Sequence, residues 1–310
     1  MVLAMAATID QHEIACEACG AKILFEPLHR TVRCPYCDSP SVIDRPATPD
    51  RPDPVFAIGF AVDRHEATRR MRRFIAGRKL APPGLRDRAA DRVTGVYLPT
   101  YLYSAVASST YSARIGEDYY VTEVSRDSKG RTSVKRKRKT EYYELSGPHH
   151  SYVGDVVVTA SRGIPNEEVE AVEPFDLGGL RRFSPSMVSG WISEEPSMTR
   201  EECLELSRRE SKSKIRRALG RFMPGDSSSG LEDHTALAKE SIDLVLLPVW
   251  VFAMRYREDR PPIRLLVNGQ TGRAWGKVPT SWKKVAIIAG VILGLIAVPV
   301  ILGLVAGLFL

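Results

Sequence analysis

An α+β fold is what this amino-acid sequence predicts, on three observations. Apolar residues at helical spacing follow capping residues at Asp63 and Thr199, while alternating or continuous runs of β-branched and aromatic residues fill much of the remainder. Four of the five cysteines crowd into one window near the start. The last stretch, 285–310, contains no charged residue and no Ser, Thr, Asn or Gln. Together they predict an N-terminal zinc ribbon at 12–43, a proline-rich linker at 44–54, an α+β body at 55–282 and a C-terminal transmembrane helix at 285–310.

Cys16, Cys19, Cys34 and Cys37 read C-x2-C-x14-C-x2-C. Each C-x2-C pair lets two thiolates of one tight turn reach the same ion, and Gly20 and Pro35 are residues that such turns favour. Four thiolates complete a tetrahedron, so the expectation is one structural Zn²⁺ and not an open catalytic site. Lys22, Arg30 and Arg33 are placed to offset the negative charge of that shell. An odd cysteine count with four spent on metal points to a reducing compartment. The fifth, Cys203, falls on an expected helix, where it serves as a small buried hydrophobe.

Prolines at 46, 49, 52 and 54 make the following segment stiff and extended. It is expected to hold the ribbon away from the body, free to reorient.

The body opens with a strand-like Val55–Val62 and a helix capped by Asp63 and Glu66. Ala67, Met71, Phe74 and Ile75 form its apolar face, Arg69, Arg70, Arg72 and Arg73 its basic one, and Gly77 its end. Thr199 and Glu202 open a second helix, to about Gly220, whose far half carries Arg208, Arg209, Lys212, Lys214, Arg216 and Arg217. Between the helices lies a long hairpin, about 119–145, with tyrosine pairs at Tyr119, Tyr120 and Tyr142, Tyr143 and a turn at 127–130. Lys135, Arg136, Lys137, Arg138 and Lys139 make both faces of its returning strand cationic, so it is expected to project into solvent as an arm that binds an anionic partner. A flexible loop is expected at 225–230, a buried strand at Leu244–Met254 and a tight turn at 267–272. Leu98-Pro99-Thr100-Tyr101 is echoed by Leu247-Pro248-Val249-Trp250, which suggests two related modules.

As a helix, 285–310 spans about 39 Å against a hydrocarbon core of about 30 Å. Lys283 and Lys284 precede it, with Trp275 and Trp282 as expected membrane-interface anchors. By the positive-inside rule the body is cytoplasmic and the chain a single-pass, tail-anchored protein of the inner membrane in contact with lipid. Gly290 with Gly294, and Gly303 with Gly307, are spaced for self-association of membrane helices. The N-terminal residues lack the basic n-region of a signal peptide.

Leu247-Pro248-Val249-Trp250, the turn Asn268-Gly269-Gln270-Thr271-Gly272, Gly276 and Pro279 resemble a family of bacterial zinc-ribbon membrane proteins. Its members carry a Leu-Pro-x-Trp strand and an Asn-Gly-x-Thr-Gly turn. Their labels borrow from the ribbons of transcription factor IIB and of the primosomal protein N′. The resemblance implies a ribbon and membrane segments but brings no activity. A helicase is disfavoured, because no G-x-x-x-x-G-K-[ST] phosphate loop occurs.

His149-His150, Glu167-Glu168 and Glu194-Glu195 are the clusters from which a catalyst could be built, and each reads as a surface loop. The expected function is that of a non-enzymatic, membrane-anchored adaptor recruiting a protein partner through its ribbon. The alternative is nucleic-acid binding through the ribbon and the basic arm, favoured by a net charge of +7.

Overall fold

The computed structural model describes residues 12–15, 22–25, 30–33, 40–42, 52–86, 90–126, 132–255 and 262–308; for 12–15, 22–25, 33, 40–42, 83, 86 and 299–308 it describes the backbone alone. Two small antiparallel pairs come first: β1 (His12–Ala15) with β2 (Lys22–Phe25), and β3 (Thr31–Arg33) with β4 (Pro40–Val42). The body follows as β5 (Phe56–Ala57), α1 (Arg64–Ala76), α2 (Pro83–Arg86), β6 (Arg92–Arg126), β7 (Thr132–Thr159), α3 (Asn166–Val172), β8 (Arg181–Arg182) and β9 (Ile192–Ser193). It is completed by α4 (Arg200–Phe222), β10 (Ser227–Met254), β11 (Ile263–Asn268), β12 (Ala274–Gly276) and α5 (Trp282–Leu308).

Strands β5 to β12 form one eight-stranded sheet. Its axis is the antiparallel pair β6–β10, in which Leu98 stands directly opposite Leu247. The two Leu-Pro segments therefore meet at a local two-fold point. Each follows a helix and precedes an antiparallel partner strand, giving α1–β6–β7 and α4–β10–β11. α1 packs on β11 and β12 of the other half, whereas α4 packs on β7 of the other half and on its own β10.

Local chemistry explains both helices. Asp63 accepts a hydrogen bond from the Glu66 amide at 2.7 Å, and Ala67, Met71 and Ile75 are the buried stripe of α1. The expected box is only half formed, because the Glu66 carboxylate turns outward to Arg69 and to Arg70 at 2.5 Å. Those bonds, led by Arg70, hold its pKa below the usual range. At α4 the box is complete: Thr199 Oγ1 accepts from the Glu202 amide (3.2 Å), and Glu202 Oε2 from the Thr199 amide (2.8 Å).

Where the sheet is widest, both faces are covered. α4 lays Cys203, Ile215 and Leu219 on Tyr101, Tyr103, Val156 and Val158, while α3 covers Leu98, Val157, Leu247 and Val249 on the other face with Val169 and Val172. Two segments differ from expectation. Only Phe56–Ala57 of the strand-like 55–62 is a strand. Most of 225–230 is the start of β10, pairing Ser227 with Gly116 and Ser229 with Arg114.

The expected fold class is corrected in two respects. Among the described residues no helix is long and apolar enough to cross a membrane. α5 carries the apolar run, but its described side chains end at Val298. The transmembrane, tail-anchored and inner-membrane expectations fall with that finding. The anchor roles change too. Trp275 lies in β12 opposite Leu266 and packs half-buried on the core. Lys284 Nζ donates to the carbonyls of Ala81 (2.7 Å) and Lys79 (3.4 Å), fastening the start of α5 to the body. Trp282 and Lys283 are exposed. Secondly, Cys16, Cys19, Cys34 and Cys37 lie outside the described residues, and among the described residues no group of three or more His, Cys, Asp or Glu side chains could hold a metal ion. The zinc-ribbon class is replaced by a mixed α+β fold with one large sheet and two small ones.

Candidate binding surfaces

The second of the N-terminal strand pairs, β3–β4, is fastened to the body at β3, not held off by the proline segment. The Arg30 amide donates to the Ser193 carbonyl (2.8 Å), and Thr31 Oγ1 donates to the Trp191 carbonyl (2.6 Å) while accepting from the Ser193 amide (3.0 Å). The Arg30 guanidinium is buried. It meets Glu195 at 2.9 Å, Asp53 at 2.8 Å and the Pro52 carbonyl at 3.1 Å, with the Phe183 ring 5.8 Å from its centre. A desolvated ion pair needs further hydrogen bonds, and the other two nitrogens of the guanidinium make theirs to Asp53 and Pro52. Beside it, Trp191 stacks on Phe60 at 3.9 Å and lies over Gly95, where any side chain would strike the indole. Arg30 was read as a counter-charge to the thiolates, and Glu195 as a surface loop residue. The structure pairs the two in a buried seam.

The arm is the second surface. The hairpin is longer than expected, since β6 and β7 pair from Thr100–Thr159 out to Arg126–Thr132, and the turn residues 127–130 lie outside the described residues. Directly opposed residues share a face. Lys135, Lys137 and Lys139 therefore stand with Glu123, Val121 and Tyr119 on one side, and Arg136 and Arg138 with Thr122 and Tyr120 on the other. The Arg136 guanidinium lies 4.3 Å from the centre of the Tyr120 ring, and Arg114 4.6 Å from that of Tyr142. Carboxylates take part of the charge: Asp118 meets Arg138 at 3.3 Å and Glu123 meets Lys137 at 3.4 Å. Both cationic faces are present, but they are chemically distinct.

Closer to the body the same sheet has one open face. Ser108, Thr110 and Ser112 of β6 face solvent, flanked by His150 and Tyr152 of β7 and His234 of β10. His150 Nδ1 lies 3.1 Å from Ser108 Oγ. His149 and His150 thus sit within a strand and point to opposite faces, which separates them as a pair.

Sequence reading missed a carboxylate cluster where α3 meets α4. Asn166 Nδ2 donates to Glu170 Oε1 (2.9 Å) and Glu210 Oε2 (3.0 Å), and Lys214 Nζ meets Glu210 Oε1 at 2.8 Å. Burial, then the charge of Glu210, raises the Glu170 pKa, and burial pushes Glu173 up to about 7. Glu210 is distant in sequence from Asn166 and Glu170, so no local motif announces them. Cys203 is fully buried, its thiol pushed up to about 12 by burial, which suits the structural role expected of it.

The Asn-Gly-x-Thr-Gly turn is a structural lock. Asn268 Oδ1 accepts from the amides of Gln270 (2.8 Å) and Thr271 (2.9 Å), while its Nδ2 donates to the carbonyls of Val172, the last residue of α3, and Pro174 just beyond it. A Cβ at Gly269 would collide with Phe60 and Pro248, and Gly272 has a φ of +76°.

No family model matches this chain, and no solved structure matches it. The chain is similar to the uncharacterised protein YdjG of Bacillus subtilis (strain 168), with 27% identity over 266 residues that cover 81% of this chain and 72% of that protein.

Proposed function

We propose that this chain is a non-enzymatic adaptor whose N-terminal strand pairs, holding one Zn²⁺ through Cys16, Cys19, Cys34 and Cys37, recruit a protein partner in a fixed orientation to the α+β body. The observation that carries it is the clasp at Arg30 and Thr31. A recognition element on a loose tether gains reach, whereas one bonded through a buried ion pair passes orientation to whatever it holds. The strand register suits the metal. Ala15 is paired with Lys22 and Arg33 with Pro40, so each C-x2-C pair is bracketed by two directly opposed residues. Four thiolates would make a soft, closed ligand set, and zinc would bring the free energy that two such short strand pairs lack on their own.

The test is to crosslink and purify the tagged full-length protein with and without nuclease, beside a Cys34→Ser/Cys37→Ser variant. Zinc is measured by plasma mass spectrometry. The reading expects about one Zn²⁺ per chain, lost in the variant, and a protein partner that resists nuclease and disappears with the metal. A partner retained by the zinc-free variant would refute recruitment through these strand pairs.

A further inference from the structure

We propose that the arginine face of the β6–β7 arm binds single-stranded nucleic acid, by stacking bases on Tyr120 and Tyr142 and holding phosphates with Arg114, Arg136 and Arg138. This does not rest on the adaptor reading, since none of these residues belongs to the N-terminal strand pairs.

The argument starts from alternation. A strand reading Lys-Arg-Lys-Arg-Lys must put its lysines on one face and its arginines on the other, and the register fixes the company each set keeps. The lysines face Glu123, Val121 and Tyr119. The arginines join a ladder in which Thr122–Arg136, Tyr120–Arg138, Asp118–Thr140, Gly116–Tyr142 and Arg114–Glu144 follow one another toward the body. Tyr120 and Tyr142 are four residue rows apart along that face, about 13 Å at the rise of a strand. Each ring is about half exposed, and each has a guanidinium laid on it.

Those two contacts decide between the faces. A planar guanidinium held over a ring is already oriented to stack on a base or to fork onto a phosphate, whereas an ammonium is a point charge without orientation. Gly116 belongs to the same design. A Cβ there would meet the Tyr142 ring at 2.9 Å and Ser227 Oγ at 2.5 Å, so the glycine leaves that ring room to lie across the ladder. Among the described residues of β6 and β7, the carboxylates on this face are Asp118, which bonds Arg138 and Thr140, and Glu144, opposite Arg114; both lie to the body side of Tyr120, as does Glu232 of β10, opposite Ser112. The occupant is polyanionic and offers flat aromatic surfaces. Single-stranded nucleic acid has both properties with its bases free, whereas a duplex keeps its bases stacked inside. Anionic lipid meets the charge but leaves the paired rings without a role.

Two charge-matched variants of the full-length protein separate these possibilities. One is Arg114→Ala/Arg136→Ala/Arg138→Ala, the other Lys135→Ala/Lys137→Ala/Lys139→Ala. Binding of a fluorescein-labelled oligothymidylate is followed by anisotropy across a salt series, beside the Tyr120→Ala/Tyr142→Ala variant, a duplex of equal length and vesicles containing phosphatidylglycerol. All substitutions are exposed, and unchanged far-ultraviolet circular dichroism confirms the fold. The expected result is a loss about tenfold larger for the arginine variant than for the lysine variant, with a similar loss for the tyrosine variant at unchanged salt slope. Equal losses from the two charge-matched variants would overturn the proposal. So would an unaffected tyrosine variant, equal affinity for the duplex, or binding to vesicles with none to the oligonucleotide.

Discussion

Strand β6 crosses two regions that obey different rules. From Tyr97 to Ala105 it lies in the middle of the sheet, with helices packed on both faces, and nearly every residue is buried. Beyond residue 116 the same strand runs on with β7 as its only strand partner among the described residues, and most of its side chains are exposed. Between them, Val106 to Arg114, one face is covered by α4 and the other is open. The composition follows coverage step by step: a largely apolar run, then mainly small residues (alanine, serine and threonine), then carboxylates, tyrosines and other exposed residues. Backbone pairing alone suffices to continue a strand, since each ladder satisfies its own N–H and C=O groups. Burial is what makes it stable. The inner region is therefore held by its own free energy, and the arm is an extension whose value lies in what it touches.

The sharpest test of that contrast lies at the centre. Leu98 and Leu247 are both wholly buried and directly opposed. Leu98→Ala is expected to cost about 2–5 kcal/mol, the cost of lost burial plus a residual cavity, read from the denaturant midpoint of the full chain. A cost below about 1 kcal/mol would mean that the two-fold point is not the core of this fold.

A second test concerns a region where burial is ionic. Glu195→Ala leaves the Arg30 guanidinium with the half-exposed Asp53 as its counter-charge, at an expected cost of about 1–3 kcal/mol. The cost should fall on the docking of β3 and not on the sheet. Amide exchange of Thr31 and Ser193 is expected to accelerate while the amides of β10 keep their protection. Uniform acceleration throughout would show that the N-terminal pairs and the body open as one unit.

How much of this was legible in the sequence follows the same division. Both long helices were, because caps and apolar spacing are local signals, and α4 deviates only by ending at Phe222. The Leu-Pro echo was legible as a repeat, though not as two strands meeting at a point, because pairing between Leu98 and Leu247 is set by the whole sheet. The serine-rich 225–230 read as a flexible loop, since nothing local shows that Ser227 and Ser229 pair with Gly116 and Arg114. The free tether failed for a related reason. Prolines announce stiffness, but the Arg30–Glu195 bond joins residues far apart in sequence. Alternation made both arm faces cationic on paper, whereas the seating of Arg136 on Tyr120 depends on a register that the sequence does not state.

A pH test separates covered from open positions by a smaller effect. Glu173 has its pKa raised to about 7, first by burial and then by the charges of Glu210 and Glu170, against Lys214 and Arg273, which lower it. The native state thus binds this proton more tightly than the unfolded chain does. Its stabilising contribution is full below the ordinary carboxylate value and is lost as pH rises through about 7. Glu173→Gln is expected to be nearly neutral at pH 5 and to stabilise by on the order of 1–3 kcal/mol at pH 8, measured by urea unfolding at both values. An identical change at the two pH values would show that Glu173 is not held protonated by its surroundings.

The smallest expected effect lies at the far end of the arm, and it bears on the contrast most directly. Val124 and Val134 are directly opposed near the tip, each about two-thirds exposed. If the arm is an extension without a core, truncating one of them removes only a cross-strand contact, worth a few tenths of a kcal/mol. Val124→Ala should therefore leave the denaturant midpoint of the whole chain within about 0.5 kcal/mol of the parent. The same substitution in the buried stretch, Val156→Ala or Val158→Ala, should cost several times more. A Val124→Ala cost above about 1.5 kcal/mol is more than an exposed valine can supply from its hairpin partner. It would mean that the tip is buried in solution against a second copy of this chain, and the midpoint would then shift with protein concentration.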